Sequence, residues 1–290
     1  MPRAKAANSR RLTVLTLMAH GGGVAEQLVD HDLHPLEAFA RKLADASRIE
    51  TLRVWESGSS VEDKGGEGAF DPVTEGDRAA ERAMRSMIER HHPDHGTMGE
   101  EYPDHPARGR YSWSLDPIDG TRSFICGLPT WVTLIALLDE GAPVLGLIDV
   151  PRLSELYVGF GGAARLSANA GTTHLSVSGC TSLADARLST TDPYLFAGSE
   201  AEAFERLRRK ARTTRYGHDG YAYARLAAGS LDLIVETGLK PHDYNALIPV
   251  VRGAGGFIGD WKGGDDFSEG GVVAAASEAL FEEAVRLLGS

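Results

Sequence analysis

The chain has 290 residues, 42% hydrophobic and 24% charged, enough for one large globular unit or two closely packed ones with a sizeable core. Its formal net charge of −11 supplies no global basic field for nucleic acid, so an anionic substrate has to be attracted locally, and bound cations would do this. The two cysteines, Cys126 and Cys180, offer no disulfide framework and fit a reducing cytosol, and apolar runs such as Trp131 to Leu138 are too short to span a bilayer.

Residues 1–34 are expected to be a disordered leader. Arg3, Lys5, Arg10 and Arg11 are accompanied by no acid, Gly21-Gly22-Gly23 follows, and Leu12 to Ala19 is a weak apolar core without a clear cleavage site. Met18 is an alternative start. Leu36, Phe39, Ala40, Leu43 and Ala46 have helical spacing and predict an amphipathic helix from Pro35 to about Trp55. Ser57 to Phe70 is polar and glycine-rich and reads as a mobile loop, with Lys64 able to close over a site. A second helix is expected from Arg78 to Arg90, capped by Asp77. Strands follow at Tyr111–Leu115, Thr130–Leu138, Pro143–Val150, Glu155–Gly159 and Thr173–Val177, with Asp139-Glu140-Gly141 as a hairpin turn. After about Ser182 the pattern changes to strand and helix units at Arg187–Thr191, Glu200–Ala211, Tyr221–Ala228, Leu231–Glu236 and Tyr244–Gly253, ending with a strand at Val272–Ala276 and a helix at Glu278–Leu288. The organisation expected is an α+β half over 35–181 and an α/β half over 182–290.

Four segments carry candidate chemistry. In Leu115-Asp116-Pro117-Ile118-Asp119-Gly120-Thr121, two carboxylates stand three residues apart behind an apolar strand. Pro117 stiffens the turn, the Ile118 carbonyl is available to a cation, and amides at Gly120-Thr121 could grip phosphate. Gly99-Glu100-Glu101 adds two more acids. Gathered carboxylates repel one another unless a hard cation neutralises them, and Mg²⁺ binds such oxygens together with water and substrate phosphate. His242-Asp243 opens a third segment that runs to Gly255-Gly256, and Asp71 to Asp77 forms a fourth. For Asp77 and Asp243, helix capping competes with a functional role; an acidic surface loop competes for Glu100-Glu101, and a capping turn for Asp116 and Asp119.

In this order the segments resemble the signatures of the inositol monophosphatase superfamily over roughly residues 35–290. The resemblance implies an α+β/α/β chain folded as a layered αβαβα sandwich of the inositol monophosphatase and fructose-1,6-bisphosphatase type, with the metal site between the halves. Carried over by position, it implies a Mg²⁺-dependent phosphoric monoester hydrolase with two or three ions. Glu100, Asp116, the Ile118 carbonyl, Asp119 and Asp243 would be ligands, with Asp116 bridging two ions and a looser third ion near Glu100. Asp77 and Thr121 would position and activate the attacking water, and the amides of Gly120 and Thr121 would hold the phosphate. The family analogy also implies a cytoplasmic homodimer inhibited by Li⁺.

Many family members have Trp before the last metal-binding Asp, where this chain has His242. That departure, with Asp71 to Asp77, Tyr216 to Tyr223 and Gly238 to Pro241, resembles the histidinol-phosphatase branch. The resemblance implies L-histidinol phosphate as substrate, a small phosphate monoester of histidine biosynthesis that carries an ammonium and an imidazole. Glu236 and Asp219 are the acids expected to face that ammonium, against the alternative that one merely ends a strand and the other sits in a turn. Competing expectations are an inositol-1-phosphate phosphatase, a broad phosphatase for sugar phosphates or nucleotide 3′-phosphates, and a non-catalytic phosphate-binding regulator on the same fold.

Overall fold

The computed structural model describes residues 33–58, 61–63 and 72–289. Residues 1–32 of the expected leader, and Lys64 and Asp71, lie outside them. Helix α1 (His34–Ser57) and helix α2 (Glu75–His91) lie side by side on one face of a seven-stranded sheet. Its strands are β3 (Gly96–Gly99), β4 (Tyr111–Asp119), β5 (Val132–Asp139), β6 (Ala142–Val150), β7 (Glu155–Phe160), β8 (Ala163–Ala168) and β9 (Gly171–His174), in sequential order. Only the β3–β4 pair is parallel.

Strand periodicity builds the layers. On β5, Ile135 and Leu137 face α1 and α2, packing with Leu43, Met84 and Trp113, while Leu134, Ala136 and Leu138 face the other way. That second face packs on α5 (Asp219–Ala227) and α7 (Leu247–Gly253). These two helices contact in turn a five-stranded sheet ordered β11 (Thr213–Tyr216), β10 (Arg187–Thr190), β12 (Leu233–Glu236), β14 (Val272–Ala275), β13 (Phe257–Gly259). Helices α4 (Ser199–Arg208) and α8 (Glu278–Leu288) cover its far side through Phe204, Leu207, Leu280 and Ala284. The result is a helix–sheet–helix–sheet–helix sandwich.

Local chemistry accounts for the departures from expectation. Within the expected loop, β1 (Val61–Asp63) pairs antiparallel with β2 (Pro72–Thr74). The N-cap of α2 is Thr74, not Asp77: Asp77 is the third helical residue, and its Oδ2 accepts from the Thr74 N–H at 2.8 Å in a capping box. Strand β4 continues through the Asp116-Pro117-Ile118-Asp119 turn that was expected to follow it. The helix expected to begin at Tyr244 is two pieces, α6 (Pro241–Tyr244) and α7, and the strand expected at Thr173–Val177 is displaced to β9. β8, β11 and β13 were not anticipated. Among the described residues no helix is long and apolar enough to cross a membrane.

The seating of α7 depends on missing side chains. Gly146 on β6 and Gly159 on β7 are register partners. A Cβ on Gly146 would lie 2.0 Å from the Ala246 carbonyl oxygen, and one on Gly159 would lie 2.2 Å from the Pro249 backbone. The sheet therefore admits the helix backbone itself, and this fixes the height of the α6–α7 segment above β4. Gly159→Ala is expected to destabilise the protein by about 1–3 kcal/mol through overpacking. Urea unfolding measures this, and an unchanged midpoint would show that α7 is not held by the close approach.

Candidate active site

Asp116 and Asp119 stand three positions apart, an odd offset that in a regular strand would put them on opposite faces. The register with β5 shifts between them: Asp116 pairs with Leu134 and Asp119 with Val132, so β4 carries one extra residue. This bulge returns Asp119 to the side of Asp116. Pro117, which has no N–H to donate, occupies the bulge, and its carbonyl accepts from the Thr133 hydroxyl at 2.7 Å. The Ile118 side chain is fully buried against Val54, Phe124 and Trp131, anchoring the turn from below.

Asp243, at the start of α6, completes the group. One carboxylate oxygen from each of Asp116, Asp119 and Asp243 falls within 4.8 Å of the others. Glu100 lies outside this group, but its charge acts on Asp77, Asp116, Asp119 and Asp243. Its segment is clamped by a buried ion pair on α2. Glu81 accepts from Arg85 Nε at 2.7 Å and from the Glu101 N–H at 2.8 Å, and Arg85 donates onward to the carbonyls of Tyr102 and Pro103 and the Thr97 hydroxyl, each at 3.0 Å. Sequence alone gives no signal of this clamp: Glu81 and Arg85 stand four residues apart on one helix, and nothing in the pattern ties them to Glu101.

Capping and clustering are not alternatives for Asp243, which does both, and a backbone amide holds each of Asp77, Asp116, Asp119 and Asp243. Asp77 Oδ2 accepts the Thr74 amide and also the Thr74 hydroxyl at 2.6 Å; Asp116 Oδ1 accepts the Ile118 amide at 3.1 Å; Asp119 Oδ2 accepts the Gly220 amide at 2.5 Å; Asp243 Oδ2 accepts the Lys240 amide at 2.6 Å. A carboxylate has a second oxygen left after such a bond. The Thr121 hydroxyl donates to the Ile118 carbonyl at 3.0 Å, and that oxygen retains a second lone pair. Asp77 and Thr121 do not hydrogen-bond each other among the described residues.

Two Asp-Gly pairs interlock where the halves of the chain meet. Gly120 has φ +85°, and a Cβ there would stand 2.8 Å from Asp219 Oδ2. A Cβ on Gly220 would stand 2.5 Å from Asp119 Oδ2. Asp219 itself has φ +46°, in the left-handed region that Asp tolerates better than most residues. Beside them lies a cavity of about 120 Å³ whose walls include Asp119, Asp219, Tyr223, Glu236, Leu239 and Asp243. Glu236 is buried and accepts from Thr190 Oγ1 at 3.1 Å and from the Thr191 amide and hydroxyl at 2.8 and 3.0 Å. Tyr223 and Thr191 also line this cavity and were not singled out from sequence.

The electrostatics are those of crowded, buried anions, offset in part by His242 and Lys240 at Asp243 and by Arg122 at Asp219. Burial, reinforced by the charges of Glu100, Asp119 and Asp243, holds Asp116 well above the ordinary carboxylate range. Burial, with Asp219 and Asp243, does the same to Asp119. Burial pushes Asp77 up to about 7, Asp219 to about 6 and Glu236 to about 8, and raises Asp243. Among the described residues no Lys or Arg pairs with Asp77, Asp116 or Asp119. His242 Nε2 lies 3.5 Å from Asp243 Oδ1 and offsets part of its charge. An all-oxygen donor set of this kind fits a hard divalent cation.

A sequence profile of the inositol monophosphatase family matches residues 32–290. The chain belongs to the inositol monophosphatase family. It is 44% identical over 239 residues to the bifunctional phosphatase IMPL2, chloroplastic, of Arabidopsis thaliana, covering 82% of this chain and 67% of that protein. It is 35% identical over 219 residues to a histidinol-phosphatase of Chlorobaculum parvum, covering 76% and 84% respectively. Among solved structures, an inositol monophosphatase from Zymomonas mobilis superposes with a TM-score of 0.79 at 36% identity, covering 90% of this chain and all of that one. The chain is thus a phosphomonoester hydrolase of a metal-dependent family that acts on small phosphate monoesters.

A carboxyl whose folded pKa is raised contributes stability that is complete below its unfolded value and is lost as pH climbs through its folded value. With divalent metal chelated, Asp116→Asn is therefore expected to be more stable than the wild type, by a margin that widens as the pH rises above the ordinary carboxylate range. Urea unfolding of both proteins at a series of pH values above that range reads the margin, and a margin that narrows with rising pH would contradict the assignment.

Proposed function

We propose that this member of the family is a Mg²⁺-dependent histidinol-phosphate phosphatase, hydrolysing L-histidinol phosphate to L-histidinol and phosphate. The observation that carries this reading is the acidic cavity beside the carboxylate group. Asp219 and Glu236 are buried acids with raised pKa values, so a cation entering the cavity is what favours their charged forms. The ammonium of histidinol phosphate supplies one, and a hydroxyl-only substrate does not. The likeness to the Chlorobaculum parvum histidinol-phosphatase supports the same reading. The likeness to the Zymomonas mobilis inositol monophosphatase favours a second, inositol 1-phosphate as substrate.

In this reading Glu100, Asp116, the Ile118 carbonyl, Asp119 and Asp243 hold two or three Mg²⁺ ions. The ions supply positive charge that polarises the phosphoryl group and stabilises the leaving oxygen. The amides of Gly120 and Thr121 hold the phosphate. Thr121 gives its hydroxyl proton to Ile118, so its oxygen is left to accept a hydrogen bond from the attacking water. Asp77, enclosed and fixed by two bonds from Thr74, takes up the proton that this water loses. Positioning and charge stabilisation then carry most of the rate. We also propose that residues 35–181 and 182–290 act as two halves that complete the site together, and that the protein is a cytoplasmic homodimer inhibited by Li⁺.

Phosphate release from histidinol phosphate, inositol 1-phosphate, fructose 1,6-bisphosphate and adenosine 3′,5′-bisphosphate, with Mg²⁺ and with chelator, tests the substrate. The highest kcat/KM is expected for histidinol phosphate, lost on chelation; a higher value for another ester would reassign the substrate. Asp77→Asn is expected to lower kcat by roughly 10²- to 10⁴-fold with little change in KM. Steady-state kinetics at saturating Mg²⁺ reads this, and near-normal kcat would remove Asp77 from the proton path.

A further inference from the structure

Tyr223 lies on α5 one helical turn after Asp219, on the same face of the helix. Its side chain is 1% exposed and lines the cavity next to the carboxylate group. Its hydroxyl is buried without a hydrogen-bond partner among the described residues. A buried hydroxyl is ordinarily bonded, and leaving one unbonded costs free energy, so an exception calls for a role. The surroundings point to that role. The charges that act on the phenol are Glu236, Asp119 and Asp243, all carboxylates, and together with burial they keep it protonated. The hydroxyl therefore stands in a wall of acceptors, in hydrogen-bonding contact with none of them.

A primary ammonium brings three N–H donors into one small volume. Asp219 and Glu236 can take two of them. We propose that Tyr223 is a specificity-determining residue whose hydroxyl oxygen accepts the third N–H of a primary ammonium on the substrate, so that the cavity selects amino-alcohol phosphates over phosphate esters lacking an amine. The inference rests on the reading of this cavity as the site for the non-phosphate part of histidinol phosphate, and adds to it a neutral residue that sequence reasoning passed over. Phenylalanine at this position keeps the ring that packs in the core and removes only the hydroxyl.

The test compares L-histidinol phosphate with its deamino analogue, 3-(imidazol-4-yl)propyl phosphate, in the wild type and in Tyr223→Phe. In the wild type the ratio of kcat/KM values is expected to favour the amine strongly. In Tyr223→Phe that ratio is expected to fall roughly 10- to 100-fold, as for loss of a hydrogen bond to a charged group. Thermal unfolding without substrate is the second readout: the variant is expected to melt no lower than the wild type, because the hydroxyl it loses was unbonded. A preference left intact in Tyr223→Phe, or equal losses on both esters, overturns the role of Tyr223 while leaving the substrate reading standing. A lower melting temperature shows that the hydroxyl is bonded within the fold and overturns it as well. A wild type that does not prefer the amine overturns both, and this is seen before any variant is made.

Discussion

Like charges crowded into a buried volume are the constraint on which the rest of this structure depends. Asp116, Asp119 and Asp243 are brought together near Asp77, and among the described residues no Lys or Arg pairs with Asp77, Asp116 or Asp119, so the group stands against the repulsion and desolvation that raise its pKa values. Such a group persists only if the scaffold over-determines it. The scaffold does so by one repeated device, a backbone amide aimed at one oxygen of each carboxylate. The amides come from a helix cap, a strand bulge, the first turn of α5 and the entry to α6, so the group is tied to four separate elements. With one oxygen fixed, the other has a defined direction, and this preorganisation is what a hard-metal site requires.

The layers of the sandwich serve that arrangement. The bulge in β4 converts an odd spacing into a shared face. Gly146 and Gly159 let α7 settle onto the sheet, bringing Asp243 within reach of Asp116. The Asp119-Gly120 and Asp219-Gly220 pairs mesh because neither glycine has a side chain to keep the opposing carboxylate away. Both parts of the chain thus contribute to one site, and the cavity that follows from their meeting is acidic because the interlock itself places Asp219 there.

Much of this was legible in the sequence, because the relevant signals are local. The apolar spacing of Leu36, Phe39, Ala40 and Leu43 gave α1 within two residues at each end, and Asp139-Glu140-Gly141 gave a hairpin whose two turn residues have φ +50° and +89°. The paired aspartates around Pro117 pointed to a metal site through their surroundings, an apolar strand before them and Gly120-Thr121 after them, since a capping turn alone could carry the same residues. What was not legible depends on distance along the chain. β8, β11 and β13 are short strands specified by neighbours in their sheets more than by their own residues. Capping could not be separated from a functional role for Asp77 and Asp243, and for Asp243 the structure explains why: it caps α6 with one oxygen and clusters with Asp116 and Asp119. Tyr223 entered the sequence reading only as the end of the Tyr216–Tyr223 segment, since an unbonded hydroxyl is a property of the assembled cavity.

The central claim is that divalent cations replace protons as the charge that neutralises this carboxylate group. The most direct measurement is calorimetric titration of Mg²⁺ into metal-free protein near neutral pH, repeated in buffers of different ionisation enthalpy so that proton release is counted. The account predicts binding of at least two ions with net release of protons, the release shrinking as the pH is raised and the group is already deprotonated. Absence of Mg²⁺ binding, or binding with no release of protons at any pH, would contradict it.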